Sequence, residues 1–316
     1  MEGPYPTRVL IEEAAKRIAP FVHRTPVLSS SSINTLLGME VFFKCENFQK
    51  IGAFKYRGAT NAVLSLSADE KKNGVATHSS GNHAQALALA AKTNNIKAYI
   101  VMPETSSAVK INAVRGYGAE VILCAPNQKA REGTVDEIIK KTGAVLIHPY
   151  NNYSIIAGQA TAAKELIEEI KNLDIIMTPV GGGGLLSGSA LSTHYFSPQT
   201  IVIAGEPANA DDAYRSLQKG EIVPENPPNT IADGLLTSLG DKTFDIIKKH
   251  VKEIVTVSEE EIIAAMRLVW ERMKIIIEPS SAVPVAVAIK SMERFKGKRI
   301  GIIISGGNVD LNKLPF

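Results

Sequence analysis

Short β-branched apolar runs alternate with helical stretches along most of this chain, and that alternation limits its fold more than any other feature. Residues 75–77, 98–102, 120–123 and 145–147 form one set of runs, and 174–177, 201–204 and 300–304 form a second. None carries a polar residue at every second position, so each reads as a strand buried on both faces. Helical periodicity fills the gaps at 82–91, 107–115, 135–141, 154–170, from about Leu185, and at 258–273. The last of these opens on a capping box, with Ser258 three residues before Glu261. Ahead of the first set lie a helix over 7–18, closed before Pro20, and short strands over 25–28 and 41–44. Strands alternating with helices predict an α/β fold of parallel sheets in three layers. The two sets predict two domains: a large one from residues 1–68 and 151–316, and a small one over 69–150. In such sheets ligands bind beyond the carboxyl ends of the strands, here in the cleft between the domains.

Three stretches fall at such ends. Residues 79–83 (SSGNH), glycines 181–184 and residues 305–308 (SGGN) each follow a predicted strand. A fourth, residues 52–58 (GAFKYRG), precedes a helix and presents Lys55 between an aromatic ring and glycine-bounded turns. A partly desolvated lysine amine is held toward its neutral form and can attack a carbonyl. Four glycines opening a helix let backbone amides converge on a phosphate. Gly182, Gly184 and Ser187, with Glu206 after the next strand, come near a dinucleotide fingerprint, but its third glycine is missing. Ser79 or Ser80 can equally serve as an ordinary helix cap, and 305–308 as a strand-end turn. Taken together the four stretches read as a lysine that condenses with an aldehyde and a cradle for a phosphorylated aldehyde cofactor. Glu206, Asp211 and Asp212 put carboxylates on both sides of a turn. Such oxygens suit a hard divalent cation, although the helix dipole alone also favours acids there.

The remaining composition excludes other classes. Net charge is only +3 with no long basic run, which argues against nucleic acid as a partner. No apolar run approaches the ~18 residues of a membrane span. Residues 1–4 lack a signal-peptide pattern. Cys45 and Cys124 have no CxxC spacing and the six histidines no zinc spacing, which indicates a cytoplasmic, enzyme-like protein.

The ordered set GAFKYRG, SSGNH, glycine tetrad and SGGN resembles the fold-type II pyridoxal-phosphate enzymes. Within them the chain is most similar to the eukaryotic-type serine racemases and the serine/threonine and 3-hydroxyaspartate dehydratases. The resemblance covers essentially the whole chain and implies the tryptophan-synthase-β type of fold with a mobile small domain. It implies that Lys55 bonds pyridoxal 5'-phosphate and acts as base on one face, with Ser80 as acid/base on the other. Phe54 then lies beside the ring, Asn82 meets the 3-hydroxyl, Gly181, Gly182, Gly183 and Gly184 hold the phosphate, and Ser305 meets the ring nitrogen. Ser79, Ser80, Asn82, His83 and Arg131 receive the substrate. Glu206, the Ala210 carbonyl and Asp212 match a site for Mg2+, Ca2+ or Mn2+. The implied activities are interconversion of L- and D-serine and elimination of serine to pyruvate and ammonia. A homodimer and activation by ATP are further family expectations. The alternative within the family is a threonine/serine or 3-hydroxyaspartate dehydratase without significant racemisation. Outside it stand a nicotinamide-dependent oxidoreductase, in which Lys55 has no role, and a non-catalytic binding relative. Departures from the pattern are Ala84 after Asn-His, Ala160 after Gly-Gln, and Tyr150-Asn151 where mammalian racemases have Asn-Gln.

Overall fold

The computed structural model describes residues 5–106, 108–224 and 227–316. Its strands are β1 (Val27–Leu28), β2 (Glu40–Cys45), β3 (Val75–His78), β4 (Ala98–Pro103), β5 (Glu120–Cys124), β6 (Val145–Leu146), β7 (Ile175–Pro179), β8 (Ile201–Pro207), β9 (Glu253–Val257) and β10 (Arg299–Ile304). Among the described residues they form a six-stranded sheet, ordered β1-β2-β10-β7-β8-β9, and a four-stranded sheet, ordered β5-β4-β3-β6. All neighbours pair in parallel except β1, which runs antiparallel to β2 with Val27 opposite Lys44. The two parallel sheets expected from the sequence are present, with this one antiparallel edge strand added. There the intervening helix and turns carry the chain back alongside β1 instead of across the sheet.

The helices are α1 (Arg8–Ile18), α2 (Ser31–Leu37), α3 (Lys55–Leu64), α4 (Ala68–Asn73), α5 (Asn82–Thr93), α6 (Ala108–Gly116), α7 (Gln128–Thr142), α8 (Tyr153–Glu169), α9 (Gly184–Phe196), α10 (Asp212–Lys219), α11 (Asp241–His250), α12 (Glu259–Met273) and α13 (Pro279–Lys290). Start signals lie in the sequence. Thr7 accepts from the Leu10 amide, and Asn152 accepts from the amides of Ser154 and Ile155. The Ser258–Glu261 capping box closes in both directions. Apolar side chains of α12 and α13 pack with β2, β7, β8 and β10, while α1, α9 and α11 build a second core with β8 and β9. The smaller sheet is covered by α5 with residues of α6 on one side and by α7 on the other. Helix α3 packs against both α5 and α8, so the helix that begins at Lys55 touches the cover of each sheet. The predicted start of α6 at Ser107 and the sequence of residues 1–4 lie outside the described residues.

Candidate active site

Lys55 is the first residue of α3, half-buried, with its Nζ donating to the Pro149 carbonyl at 3.0 Å. Burial brings its ammonium down to about 8, and the charge of Glu278 works in the opposite direction. The Phe54 ring lies 5.2 Å from the amine. Backbone pairing holds this segment against the end of β10. The Phe54 amide donates to the Ser305 carbonyl at 2.9 Å, and Ala53 forms an antiparallel bridge with Gly306. Just upstream, Ile51 adopts a left-handed φ of 60°, and Asn308 Nδ2 donates to its carbonyl at 2.7 Å. Ser305 is buried, its hydroxyl 3.0 Å from that of Ser281.

The glycine tetrad follows β7 and enters α9, all four glycines buried. Gly183 takes φ +85°, and Thr243 of α11 donates to the Gly182 carbonyl at 2.9 Å. A Cβ at Gly182 would stand 2.4 Å from the Tyr150 ring, and one at Gly181 2.8 Å from Leu235 Cα, so no larger residue fits without movement. The first-turn amides of α9 have no intrahelical acceptors, which suits a phosphate. The donor set therefore fits pyridoxal phosphate: an amine tuned toward neutrality, an anion cradle, an aromatic ring and a neutral hydroxyl.

In the half built on the smaller sheet, Ser79 and Ser80 form the turn between β3 and α5. Ser79 Oγ accepts from the Gly81 amide at 3.3 Å. Asn82 Nδ2 lies 3.2 and 3.1 Å from the two Glu278 oxygens, and its Oδ1 accepts from Asn308 Nδ2 at 2.9 Å. These contacts join the two sheets' loops directly. His83 is buried with Nε2 3.1 Å from the Ile147 carbonyl; burial, reinforced by Lys55, takes it down to about 3, so it stays neutral. Arg131, on α7, stands close enough to His78 for its charge to add to the burial that lowers that imidazole.

Glu206 ends near α10, where its carboxylate accepts the Ala213 amide at 2.8 Å and the Tyr214 amide at 2.7 Å. Ala210 and Asp212 are buried beside it in sequence. Burial pushes Glu206 up to about 9, and the charges of Asp212 and Asp211 push the same way. Two buried carboxylates and a carbonyl are the donor set of a hard cation, whose charge relieves that crowding. Among the described residues there is no cluster of three His, Cys, Asp or Glu side chains at metal-holding distance, so any ion here leans on the carbonyl.

Sequence reasoning passed over Glu278. It precedes Pro279 at the start of α13, where an acid reads as a helix-end residue, yet its side chain makes no capping bond and turns to Asn82. It is buried, and burial, then Asp233, raises it to about 7. The signal for it in the sequence is only a lone acid in an apolar run.

A family profile described as "Pyridoxal-phosphate dependent enzyme" matches residues 18–306. The chain is 54% identical over 310 residues to a serine racemase of Dictyostelium discoideum, covering 96% of this chain and 95% of that one. It is 50% identical to a β-hydroxyaspartate dehydratase of Paracoccus denitrificans, covering 96% of each. The crystal structure titled serine racemase from Dictyostelium discoideum superposes with a TM-score of 0.93 at 53% identity, covering 96% of this chain and 99% of that one. The cradle, the lysine and these likenesses over nearly the whole length agree: the chain belongs to the fold-type II pyridoxal-phosphate-dependent enzymes.

Proposed function

We propose that this enzyme interconverts L- and D-serine and, at the same site, eliminates the β-hydroxyl of serine to give pyruvate and ammonia. The observation that carries this reading is that the charge of Lys55, an amine lowered to about 8, is felt by buried His83 in the first turn of α5, the helix that follows the Ser79–Ser80 turn. Bound there, pyridoxal phosphate acidifies the substrate's α-hydrogen by drawing electron density from the α-carbon. Lys55 takes that proton on one face. Ser80 returns one on the other face for racemisation, whereas elimination can proceed with Lys55 alone. Ser79, Asn82, His83 and Arg131 receive the substrate carboxylate, His83 through its first-turn main-chain amide, because its neutral ring spends its one proton on the Ile147 carbonyl. The residues that would hold the cofactor are Phe54 beside the ring, Asn82 toward its 3-hydroxyl, Ser305 toward its ring nitrogen, and Gly181, Gly182, Gly183 and Gly184 around its phosphate.

Glu206, the Ala210 carbonyl and Asp212 hold Mg2+, with Ca2+ or Mn2+ as substitutes. The body formed by residues 69–150 closes on the larger one, 1–68 with 151–316. A homodimer and ATP activation follow from the family likeness. Two free cysteines suit a reducing compartment, the cytoplasm. No helix among the described residues is long and apolar enough to cross a membrane. A second reading, 3-hydroxyaspartate dehydratase, is favoured by the Paracoccus relative.

Chiral chromatography of the products from L-serine, with a visible spectrum of the same sample, separates these readings. D-serine and pyruvate from a coloured protein are expected. Pyruvate alone moves the assignment to a dehydratase, and absence of colour after adding pyridoxal phosphate removes both readings.

A further inference from the structure

Glu278 is a fully enclosed carboxylate that stability does not explain. Its hydrogen-bond partners are amides, Asn82 Nδ2 at 3.1 and 3.2 Å and the Asn308 main chain at 3.2 Å. A carboxylate without a bonded cation in such a place is costly, and apolar side chains of similar volume pack there more cheaply. Its backbone is fastened to the floor of the cleft: the Glu278 amide donates to the Gly306 carbonyl at 3.0 Å. One carboxylate oxygen sits so close that a Cβ on Gly306 would stand 2.8 Å from it. Gly306 also pairs with Ala53, two residues before Lys55. The carboxylate thus lies between the segment that carries Lys55 and the α5 residue that faces it from the smaller sheet.

We propose that Glu278 is a positioning residue for Lys55: its buried carboxylate fixes Asn82 across the cleft and supplies the negative charge against which the Lys55 ammonium is held. The charged groups around it are few. Asp233, on the short helical turn Asp233–Leu235, opposes ionisation of Glu278, and Lys110 of α6 favours it. Those two are themselves paired at 2.8 Å. Lys55 faces it from α3. The sign of the effect follows. Glu278 favours the charged amine, so removing its charge lets Lys55 release its proton at lower pH. Too free a lysine cannot hand a proton back, and too tightly held a proton leaves no base; Glu278 sets that balance.

The inference rests on Lys55 being the acting base, and the test separates the two. Glu278→Gln and Glu278→Asp are prepared as full-length protein, freed of cofactor and reloaded with pyridoxal phosphate. The pH dependence of the rate at which the visible band forms reports the free amine, and the acid limb of kcat reports it during turnover. Glu278→Gln is expected to move both to lower pH by about one unit, the scale of one nearby charge. Glu278→Asp is expected to stay close to the parent. Asp233→Asn, at a half-exposed position, should move them slightly the other way, because Glu278 then ionises more readily. If Glu278→Gln does not fold, the Asp233→Asn displacement decides. Lower activity or melting temperature with both profiles unmoved in the soluble variants overturns the proposal and leaves Glu278 a structural residue. Failure of the parent protein to form the band overturns the Lys55 reading instead.

Discussion

Lys55 opens α3, whereas Ser80 lies in the turn after β3, the first strand of the smaller sheet. Their separate origins allow their roles to be tested apart. Lys55→Ala removes the nucleophile, so the visible band and both activities should disappear; residual turnover of even a few per cent would contradict the assignment. Ser80→Ala leaves Lys55 in place, so D-serine formation from L-serine should fall by about 10²-fold or more, the usual worth of a placed acid/base. Pyruvate formation should persist in part, read in the same reaction by lactate dehydrogenase coupling. Both candidates stand out in the sequence because each sits in a short motif with its own chemistry. Glu278 does not. A lone acid before a proline carries no motif, and its importance arises from Asn82 and Asn308, which lie 196 and 30 residues away. Arg131 was legible only as a candidate; its place beside His78 depends on how α7 packs on β3.

At the scale of elements, the glycine tetrad and the proposed cation site are both strand-to-helix junctions, and each makes a distinct demand. Gly182→Ala drives a Cβ into the Tyr150 ring at 2.4 Å. Since Tyr150 packs against both Gly182 and Gly184, the tetrad must shift, and cofactor affinity should fall at least about tenfold, near 1.4 kcal/mol, by fluorescence titration. At β8–α10, Mg2+ should raise the melting temperature by binding only the folded chain, and Glu206→Gln should abolish that rise. An unchanged melting curve with and without chelator would dismiss the cation. The strands preceding these junctions were read correctly from their apolar runs, and their partners explain what was missed. Strand β9 is an edge strand with mixed burial, EIVTV, whose single Val-rich turn of sequence does not stand out. Helix α13 sets Val283, Val285, Val287 and Pro284 against its alanines, so the valines and the proline mask a helix that burial against β7 and β8 enforces. Helix α10 is short and polar, and sequence periodicity over eight residues is too brief to register.

Across the whole molecule, one buried ionic network ties the reactive helix to the larger sheet. Arg57, two residues after Lys55, is fully buried and binds Glu46 at 2.7 and 2.9 Å and Glu165 of α8 at 2.7 and 2.9 Å. Lys44 of β2, also buried, reaches Glu165 at 2.6 Å and the Thr25 carbonyl at 2.6 Å. The two cations and two carboxylates cancel, so the network is tolerable only when complete. Breaking it by Arg57→Met leaves Glu46 with no cation and Glu165 with Lys44 alone, and urea unfolding should show a loss of about 3–5 kcal/mol. Replacing all four charges with apolar residues of similar volume should recover most of that loss, because the desolvation cost disappears along with the attraction. What the apolar version should not recover is the placement of Lys55. Guanidinium and carboxylates meet in fixed planes, whereas methyl and methylene groups slide, and α3 must keep register with both α8 and α5. Stability close to the parent with weakened cofactor capture would show that the network serves orientation. Full recovery of both would show that any well-packed core holds α3 in place.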